Sequence, residues 1–262
     1  MNRIDENFRN LKSENKKALI MFLTAGDPDF NWTKKIVLNV CKAGADIVEL
    51  GIPYSDPLAD GPVIQNSSQR ALENGAKIVD IMNCASQIRK NTEVPLVYLV
   101  YYNSIFKYGI ENFLKDSSKS GIDGIIIPDL PVEERKSIID VSLKFNIHLI
   151  PLVAPTSKKR IKSIVTSGGG FVYCVSKNGV TGIDESIKTD MKEYMDMIEE
   201  YTQLPKAIGF GIKNSEMASK LKNYCDGVIL GSAFVDMIDK SNDIDEAIKN
   251  IVKFTRELRK SI

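Results

Sequence analysis

The stretch ADIVELGIPYSDPLADGP, residues 45–62, begins as an apolar run and breaks at Gly51 into a loop rich in proline, glycine and aspartate. Its apolar residues are continuous rather than alternating, which indicates a strand covered on both faces, as in a parallel sheet under crossover helices. Seven further runs share this character: ALIMFLTAG from residue 18, VPLVYLVYYN from 94, GIDGIIIPD from 121, IHLIPLVAP from 147, GGFVYCVS from 169, PKAIGFGI from 205 and DGVILGSAF from 226. The sequence therefore predicts eight buried strands.

Amphipathic segments separate these runs, among them FNWTKKIVLNVCKAG (30–44), AKIVDIMNCASQIRKN (76–91) and VEERKSIIDVSLKFN (132–146). Their apolar residues recur at the spacing of a helix. Eight repeats of strand and helix in 262 residues predict an α/β fold, the (β/α)8 or TIM barrel, as a single domain over residues 1–262 with a short N-terminal helix. An open doubly wound sheet is the alternative that the same pattern allows.

Composition limits the possible partners. The chain carries 35 basic and 34 acidic side chains, so it has no global field that would hold nucleic acid or an anionic membrane surface. No run approaches the 18 or so apolar residues of a membrane span. The four cysteines lack C-x-x-C spacing, and the N-terminal residues lack the apolar core of a signal peptide, so we expect free thiols and a cytoplasmic location.

Chemistry in such barrels gathers where strands end at their carboxyl side, and two acids stand out there. Glu49 lies inside an apolar run, where an unpaired carboxyl acquires a raised pKa suited to general acid/base catalysis. Asp60 follows in a loop stiffened by glycine and proline and can fold back over the same strand end. Two carboxyls in unlike surroundings take different roles. The alternative for Glu49 is a salt bridge to a nearby lysine or a helix cap.

Glycines follow the last two strand runs, in GFGIKNSEM (209–217) and LGSAF (230–234). Glycine lets backbone N–H groups approach an anion, and a helix start favours negative charge, so this pattern predicts a phosphorylated substrate. The segment SKNGVTGIDES (176–186) has the glycines and the length expected of a lid over such a site. A plain surface loop is the alternative.

Several classes of site are excluded by what the sequence lacks. The single histidine, His148, begins the fifth run and is expected at the stable end of the barrel, away from the chemistry. A metal site with several histidine ligands cannot be built, and a Cys/His or Ser/His nucleophile is unsupported. No G-x-G-x-x-G follows the first run, so a dinucleotide site is not indicated.

The motifs LTAGDPD, VELGIPYSDPLADGPVIQ, YLVYYN, IIIPDLPVEE, FVYCVSKNGVTG, GFGI and GVILGSA occur in this order between residues 23 and 233. Together they resemble the successive motifs of the tryptophan synthase alpha chain family. The resemblance implies cleavage of indole-3-glycerol phosphate to indole and glyceraldehyde 3-phosphate, a carbon–carbon lyase reaction without a cofactor in this chain. It also implies an alpha2beta2 heterotetramer with a beta chain that carries pyridoxal phosphate.

Carried over residue by residue, the resemblance makes Glu49 and Asp60 the catalytic pair. The substrate-binding residues that it implies are Phe22, Leu99, Tyr101, Tyr173, Thr181, Gly182, Phe210, Gly211, Gly231 and Ser232. One departure is Lys177, where many members of the family have arginine, and lysine cannot make the same bidentate contacts. Three alternatives stay open: a Schiff-base aldolase at Lys177, a stand-alone lyase that releases free indole, and a non-catalytic barrel that activates a partner chain.

Overall fold

The structure, a computed structural model, describes residues 1–175, 185–209 and 211–262. Within these ranges nine strands form one parallel sheet. They are β1 (Ala18–Thr24), β2 (Ile47–Gly51), β3 (Leu96–Leu99), β4 (Gly124–Ile126), β5 (His148–Leu149), β6 (Leu152–Val153), β7 (Val172–Val175), β8 (Lys206–Gly209) and β9 (Gly227–Leu230). Each of the eight predicted runs contains at least one of these strands.

The order of the strands shows how the sheet closes. Along the sheet it reads β5-β4-β3-β2-β1-β9-β8-β7-β6, so the two end strands are neighbours in the chain, separated only by Ile150 and Pro151. Pro151 has no N–H to donate to a ladder, which divides the fifth run into two short strands. One half pairs with β4 and the other with β7. The prediction of a (β/α)8 barrel is confirmed, and the open doubly wound alternative is wrong.

Twelve α-helices lie within the described residues, and most of them follow a strand. They are α1 (Arg3–Ser13), α2 (Phe30–Ala43), α3 (Pro62–Glu73), α4 (Ile78–Arg89), α5 (Tyr102–Tyr108), α6 (Ile110–Lys119), α7 (Arg135–Lys144), α8 (Ile161–Val165), α9 (Glu185–Glu199), α10 (Ser215–Leu221), α11 (Ser232–Asp239) and α12 (Ile244–Ser261). Short 3-10 turns span Val132–Glu134 and Pro155–Arg160. No helix among the described residues is long and apolar enough to cross a membrane.

Local signals in the sequence set the ends of α2. The Asp29 side chain accepts a hydrogen bond from the N–H of Trp32, which caps the start of the helix. Gly44 ends the helix in the left-handed conformation, with φ of 112°, which residues with a Cβ rarely adopt. The helix begins and ends within the predicted segment 30–44.

The third strand is shorter than its apolar run suggests. The run continues to Asn103, but β3 ends at Leu99 and helix α5 begins at Tyr102. Asp129, at the end of the fourth run, accepts a hydrogen bond from the N–H of Tyr102 at 2.8 Å and so satisfies a free donor at the start of this helix. Tyr101 is therefore the residue at which the chain turns from β3 into α5.

Helix α1 covers the amino-terminal end of the barrel. His148 shares hydrogen bonds with both carboxylate oxygens of Asp5 in this helix, at 2.9 and 3.0 Å, which gives the single histidine a structural contact at that end. Asp123, which is buried, pairs with Arg3 at 3.0 Å and with Arg89 at 2.8 Å. These bonds fix the helix against the base of the sheet, at the end away from the predicted site.

An ion-pair cluster holds helix α3 at the other end. Arg70 of α3 donates two hydrogen bonds to the buried carboxylate of Asp27, at 2.9 and 2.8 Å. Its third nitrogen pairs with Asp239 at the end of α11, at 2.9 Å. The bidentate geometry gives the pair directional precision as well as charge compensation. Asp27 in the TAGDPD motif thus links β1 to the two helices that start beside the site.

Candidate active site

Glu49 lies in β2, paired in register with Phe22 of β1 and Val97 of β3. Its side chain is completely buried, and neither carboxyl oxygen has a hydrogen-bond partner in the described part of the chain. Burial without a compensating donor disfavours the charged form and raises the pKa of Glu49 to about 8. Among the described residues Glu49 therefore has neither a salt-bridge partner nor a helix to cap, and its raised pKa favours the neutral acid at pH 7.

The interior of the barrel next to Glu49 is apolar. A separate cluster of buried side chains fills it, and it contains Ile4, Phe8, Leu11, Ala18, Ile20, Ile47, Val97, Ile126, Ile150, Phe171, Ala207 and Ile229. No side chain of this cluster can donate a hydrogen bond. Leu99, Leu152 and Tyr173 pack against this cluster and also line the cavity described below, so the cluster and the cavity adjoin each other.

Asp60 is on the loop between β2 and α3, and it is only partly exposed. Its Oδ2 accepts a hydrogen bond from the hydroxyl of Tyr101 at 3.0 Å. Burial raises the pKa of Asp60, and the hydrogen bond from Tyr101 acts in the opposite direction by stabilising the carboxylate. The two acids therefore lie in different surroundings: in the described part of the chain Glu49 has no donor, whereas Asp60 has the Tyr101 hydroxyl.

Tyr173 of β7 connects the two acids electrostatically. Burial first, and then the negative charges of Glu49 and Asp60, raise the pKa of Tyr173 well above its ordinary value. Both carboxyls therefore act on one phenol, which indicates that they converge on the same end of the barrel. The Tyr173 ring lies directly over Gly209 of β8, since a Cβ at that position would come within 2.4 Å of the ring.

A cavity of about 570 Å³ opens at this end of the barrel. Its lining residues come from the loops and strand ends, and they are Ala59, Asp60, Gly61, Pro62, Val63, Ile64, Leu99, Pro128, Leu152, Ala154, Tyr173, Val175, Gly209, Gly211, Lys213, Ile229, Gly231 and Ser232. Most of them are apolar or glycine, with few polar groups, which is typical of a small-molecule site. The volume lies within the range of small-molecule pockets, about 300–1,000 Å³.

One side of this cavity is suited to an anion. Gly231 lines the cavity and precedes α11, and a Cβ placed there would be in ordinary contact with Ile64 and Phe22, at 3.7 Å. The first N–H groups of a helix have no partners within the helix and carry partial positive charge. Gly211, with φ of 50°, and the cation Lys213 line the same cavity.

The structure brings six of the predicted site residues to the cavity surface: Asp60, Leu99, Tyr173, Gly211, Gly231 and Ser232. Glu49, Phe22 and Tyr101 are buried, at 0%, 4% and 3% exposure, and are not among the residues that line it. Thr181, Gly182 and Phe210, together with Lys177 and the predicted lid around them, lie outside the described residues.

Lys213 is a site residue that the sequence prediction missed, although it follows Gly211 by two positions in a segment already interpreted as anion-binding. Leu152 and Ile64 were also missed. Leu152 begins β6 in the second half of the fifth run, and Ile64 lies in the first turn of the helix after Asp60. No group of three or more His, Cys, Asp or Glu side chains placed to hold a metal ion occurs among the described residues.

Comparison with known proteins agrees with this geometry. The family model described as tryptophan synthase alpha chain matches residues 8–262. The chain belongs to the tryptophan synthase alpha chain family. Members of the tryptophan synthase alpha chain family with high similarity include those of Clostridium kluyveri, 60% identical over all of both chains, and Caldanaerobacter subterraneus subsp. tengcongensis, 60% identical over 99% of each. The family name assigns the chain to tryptophan biosynthesis.

Solved structures of the tryptophan synthase alpha chain family share the fold. The alpha chain of Legionella pneumophila subsp. pneumophila is 34% identical, with a TM-score of 0.91 over 100% of this chain and 97% of that one. A tryptophan synthase from M. tuberculosis in its open form is 28% identical, with a TM-score of 0.90 over 100% of this chain and 99% of that one.

Proposed function

We propose that this chain cleaves indole-3-glycerol phosphate to indole and D-glyceraldehyde 3-phosphate by a retro-aldol reaction, as a carbon–carbon lyase that uses no cofactor of its own. One observation carries the proposal: the Glu49 carboxyl is fully buried, and neither of its oxygens has a partner in the described residues. A buried carboxyl without a donor is costly to the fold, and such groups occur at sites where their proton is used.

Glu49 supplies and recovers one proton in this reaction. The neutral acid first protonates C3 of the indole ring, which gives an indolenine that can accept the electrons of the breaking bond. The carboxylate formed then removes the proton of the adjacent glycerol hydroxyl as the carbon–carbon bond breaks and the aldehyde forms. The two proton transfers return Glu49 to its starting state. A pKa of about 8 keeps the Glu49 carboxyl mainly protonated at neutral pH.

Asp60 acts on the other side of the ring. Protonation of C3 leaves positive charge on the ring nitrogen, and a carboxylate that accepts the ring N–H stabilises that charge as it develops. Asp60 lines the cavity and remains a better anion than Glu49, because Tyr101 donates to it. The N–H groups at the start of α11, just after Gly231, and the cation Lys213 would hold the phosphate.

Indole release from indole-3-glycerol phosphate tests this function. We expect Glu49→Gln to lower kcat by about 100- to 10,000-fold and Asp60→Asn by about 100- to 1,000-fold. The matched control is Glu93→Gln, because Glu93 is an exposed acid that pairs with Arg3 at the opposite end of the barrel. Wild-type protein without measurable indole release, or Glu49→Gln protein at full activity, would refute the proposal.

The pH profile tests the assignment of the two acids separately. Since Glu49 must start protonated, kcat/KM should fall above about pH 8. Since Asp60 must be ionised, activity should also fall on the acidic side, and Asp60→Asn should remove that acidic limb. If Glu49→Gln and Asp60→Asn both kept the same fall in kcat/KM with pH, groups other than these two acids would be titrating in the reaction.

We also propose that a beta chain carrying pyridoxal phosphate binds beside the barrel mouth and receives the indole in an alpha2beta2 assembly. Family membership supports this, as does the exposed Leu58, which is 94% accessible on the loop that ends in Asp60. Co-purification with a beta chain tests it: Leu58→Ser should weaken the complex. Leu143→Ser on α7 is the matched control, since Leu143 is also exposed, at 67%. Equal affinity for both variants would remove Leu58 from the interface.

A further inference from the structure

Tyr101 makes two hydrogen bonds to neighbouring residues of the Asp60 loop. Its hydroxyl donates to Asp60 Oδ2 at 3.0 Å and accepts from the backbone N–H of Ala59, also at 3.0 Å. The side chain is 3% exposed and does not line the cavity, so its position differs from that of a wall residue. One phenol therefore holds both the carboxylate and the adjacent backbone.

The ring of Tyr101 holds the beginning of the same loop. Tyr54 stacks on it with ring centroids 5.0 Å apart and an angle of 18° between the planes. The hydroxyl of Tyr54 accepts a hydrogen bond from the side-chain amide of Asn103 in α5 at 3.2 Å. Between these attachments the loop projects outward, since Leu58 is 94% exposed. The position of Asp60 therefore depends on contacts at the two ends of the loop, and Tyr101 takes part in both.

We propose that Tyr101 is a positioning residue for Asp60, whose phenol fixes the loop and occupies Oδ2 so that Oδ1 receives the ring N–H of the substrate. The role rests on the proposed cleavage reaction. Within the described residues no donor reaches Oδ1, whereas Oδ2 has the phenol. The two oxygens of Asp60 thus have separate tasks, one structural and one toward the substrate.

The chemistry of the phenol suits this role. Burial, together with the negative charge of Asp60, raises the pKa of Tyr101 above its ordinary value, so the hydroxyl keeps its proton and donates throughout the neutral range. The hydrogen bond favours the ionised form of Asp60. Loss of the hydroxyl should therefore have two effects: a less well placed carboxylate and a higher pKa for Asp60.

Tyr101→Phe is the test variant, because it keeps the ring and its stacking on Tyr54 and removes one oxygen. The matched control is Tyr108→Phe. Tyr108 also donates to an aspartate, Asp116, at 3.1 Å, but that pair lies on helices away from the cavity. Melting temperatures of both variants, compared with wild type, verify that the folds are equivalent.

We expect Tyr101→Phe to lower kcat by about 10- to 100-fold, as for loss of a hydrogen bond to a charged group, with KM changed less than about twofold. The acidic limb of kcat/KM should move to higher pH. In an Asp60→Asn background, the same substitution should change kcat by less than about twofold, because its effect passes through Asp60. Kinetics and a pH profile that match those of Tyr108→Phe would overturn the proposal.

A carbon-13 NMR titration of the Asp60 carboxyl separates this proposal from the proposed function. It needs no substrate, and Asp60→Asn assigns the signal. We expect the pKa of Asp60 to rise by about one in Tyr101→Phe and to stay unchanged in Tyr108→Phe. A shifted titration in a protein that cleaves no substrate would refute the reaction and retain the positioning role. An unshifted titration in an active enzyme would refute the positioning role alone.

Discussion

Glu49→Gln should stabilise the folded protein, and the gain should grow with pH. The unfolded chain exposes Glu49 to water, where its pKa is near the ordinary value of 4.5, whereas in the folded protein it is about 8. Because the folded-state pKa is the higher one, the carboxyl contributes most to stability below pH 4.5. That contribution is lost as the pH rises from 4.5 to about 8. Glutamine has nearly the same shape and does not titrate.

The size of the effect follows from the difference between the two pKa values. Between pH 4.5 and about 8, each increase of one pH unit lowers the free energy of unfolding by about 1.4 kcal/mol. At pH 7 the folded protein must keep a proton that the unfolded chain has released, which costs about 3 kcal/mol relative to pH 4.5. Above pH 8 the cost levels off at about 5 kcal/mol. These amounts are a large fraction of the total stability of an ordinary domain.

Urea denaturation of wild type and Glu49→Gln at pH 5, 6, 7, 8 and 9 measures this effect. Because both proteins contain the same other titratable groups, the contributions of those groups cancel in the difference between the two free energies of unfolding. Relative to its value at low pH, this difference should change in favour of glutamine. The change should be within about 1 kcal/mol at pH 5, about 3 kcal/mol at pH 7 and about 5 kcal/mol at pH 9. The same comparison with Glu93→Gln, at an exposed site, should give no such rise.

A difference that stays constant from pH 5 to pH 9 would refute the reasoning. It would mean that Glu49 titrates with an ordinary carboxyl pKa, and so that water or a donor reaches its oxygens in the folded protein. Glu49 would then be ionised at neutral pH and could not donate the first proton of the proposed reaction. A fall in the difference with pH would mean that a partner holds Glu49 as an anion.

Three other predictions concern separate parts of the chain. Arg89→Lys should lower the free energy of unfolding by about 2–4 kcal/mol in urea titrations, because the guanidinium donates to Asp123 and to three backbone carbonyls that lysine cannot reach together. Gly209→Ala should lower kcat/KM for indole release at least about 10-fold, because the added Cβ falls within 2.4 Å of the Tyr173 ring and must displace it. Lys213→Gln should raise KM about 3- to 10-fold with kcat unchanged, and the effect should shrink as ionic strength rises; equal KM values at low salt would exclude Lys213 from phosphate binding.

Much of the barrel and part of the site could be read from short windows of sequence. Continuous apolar runs located the strands, and amphipathic segments located the helices, because both depend on patterns within one element. The buried state of Glu49 followed from its place inside such a run. Asp60 and the glycines near residues 211 and 231 could be expected at the mouth, because in a parallel barrel all strands end at the same side.

The sequence by itself thus determined the barrel and the burial of Glu49. Only the tertiary structure decided which side chains meet across it: Tyr101 with Asp60 and Ala59, Arg70 with Asp27 and Asp239, and Lys213 with the cavity. The physical reason is the separation in sequence between the residues that interact. Strand and helix patterns arise from neighbours a few residues apart, whereas these contacts join residues from different elements, and their geometry depends on the register and closure of the whole sheet.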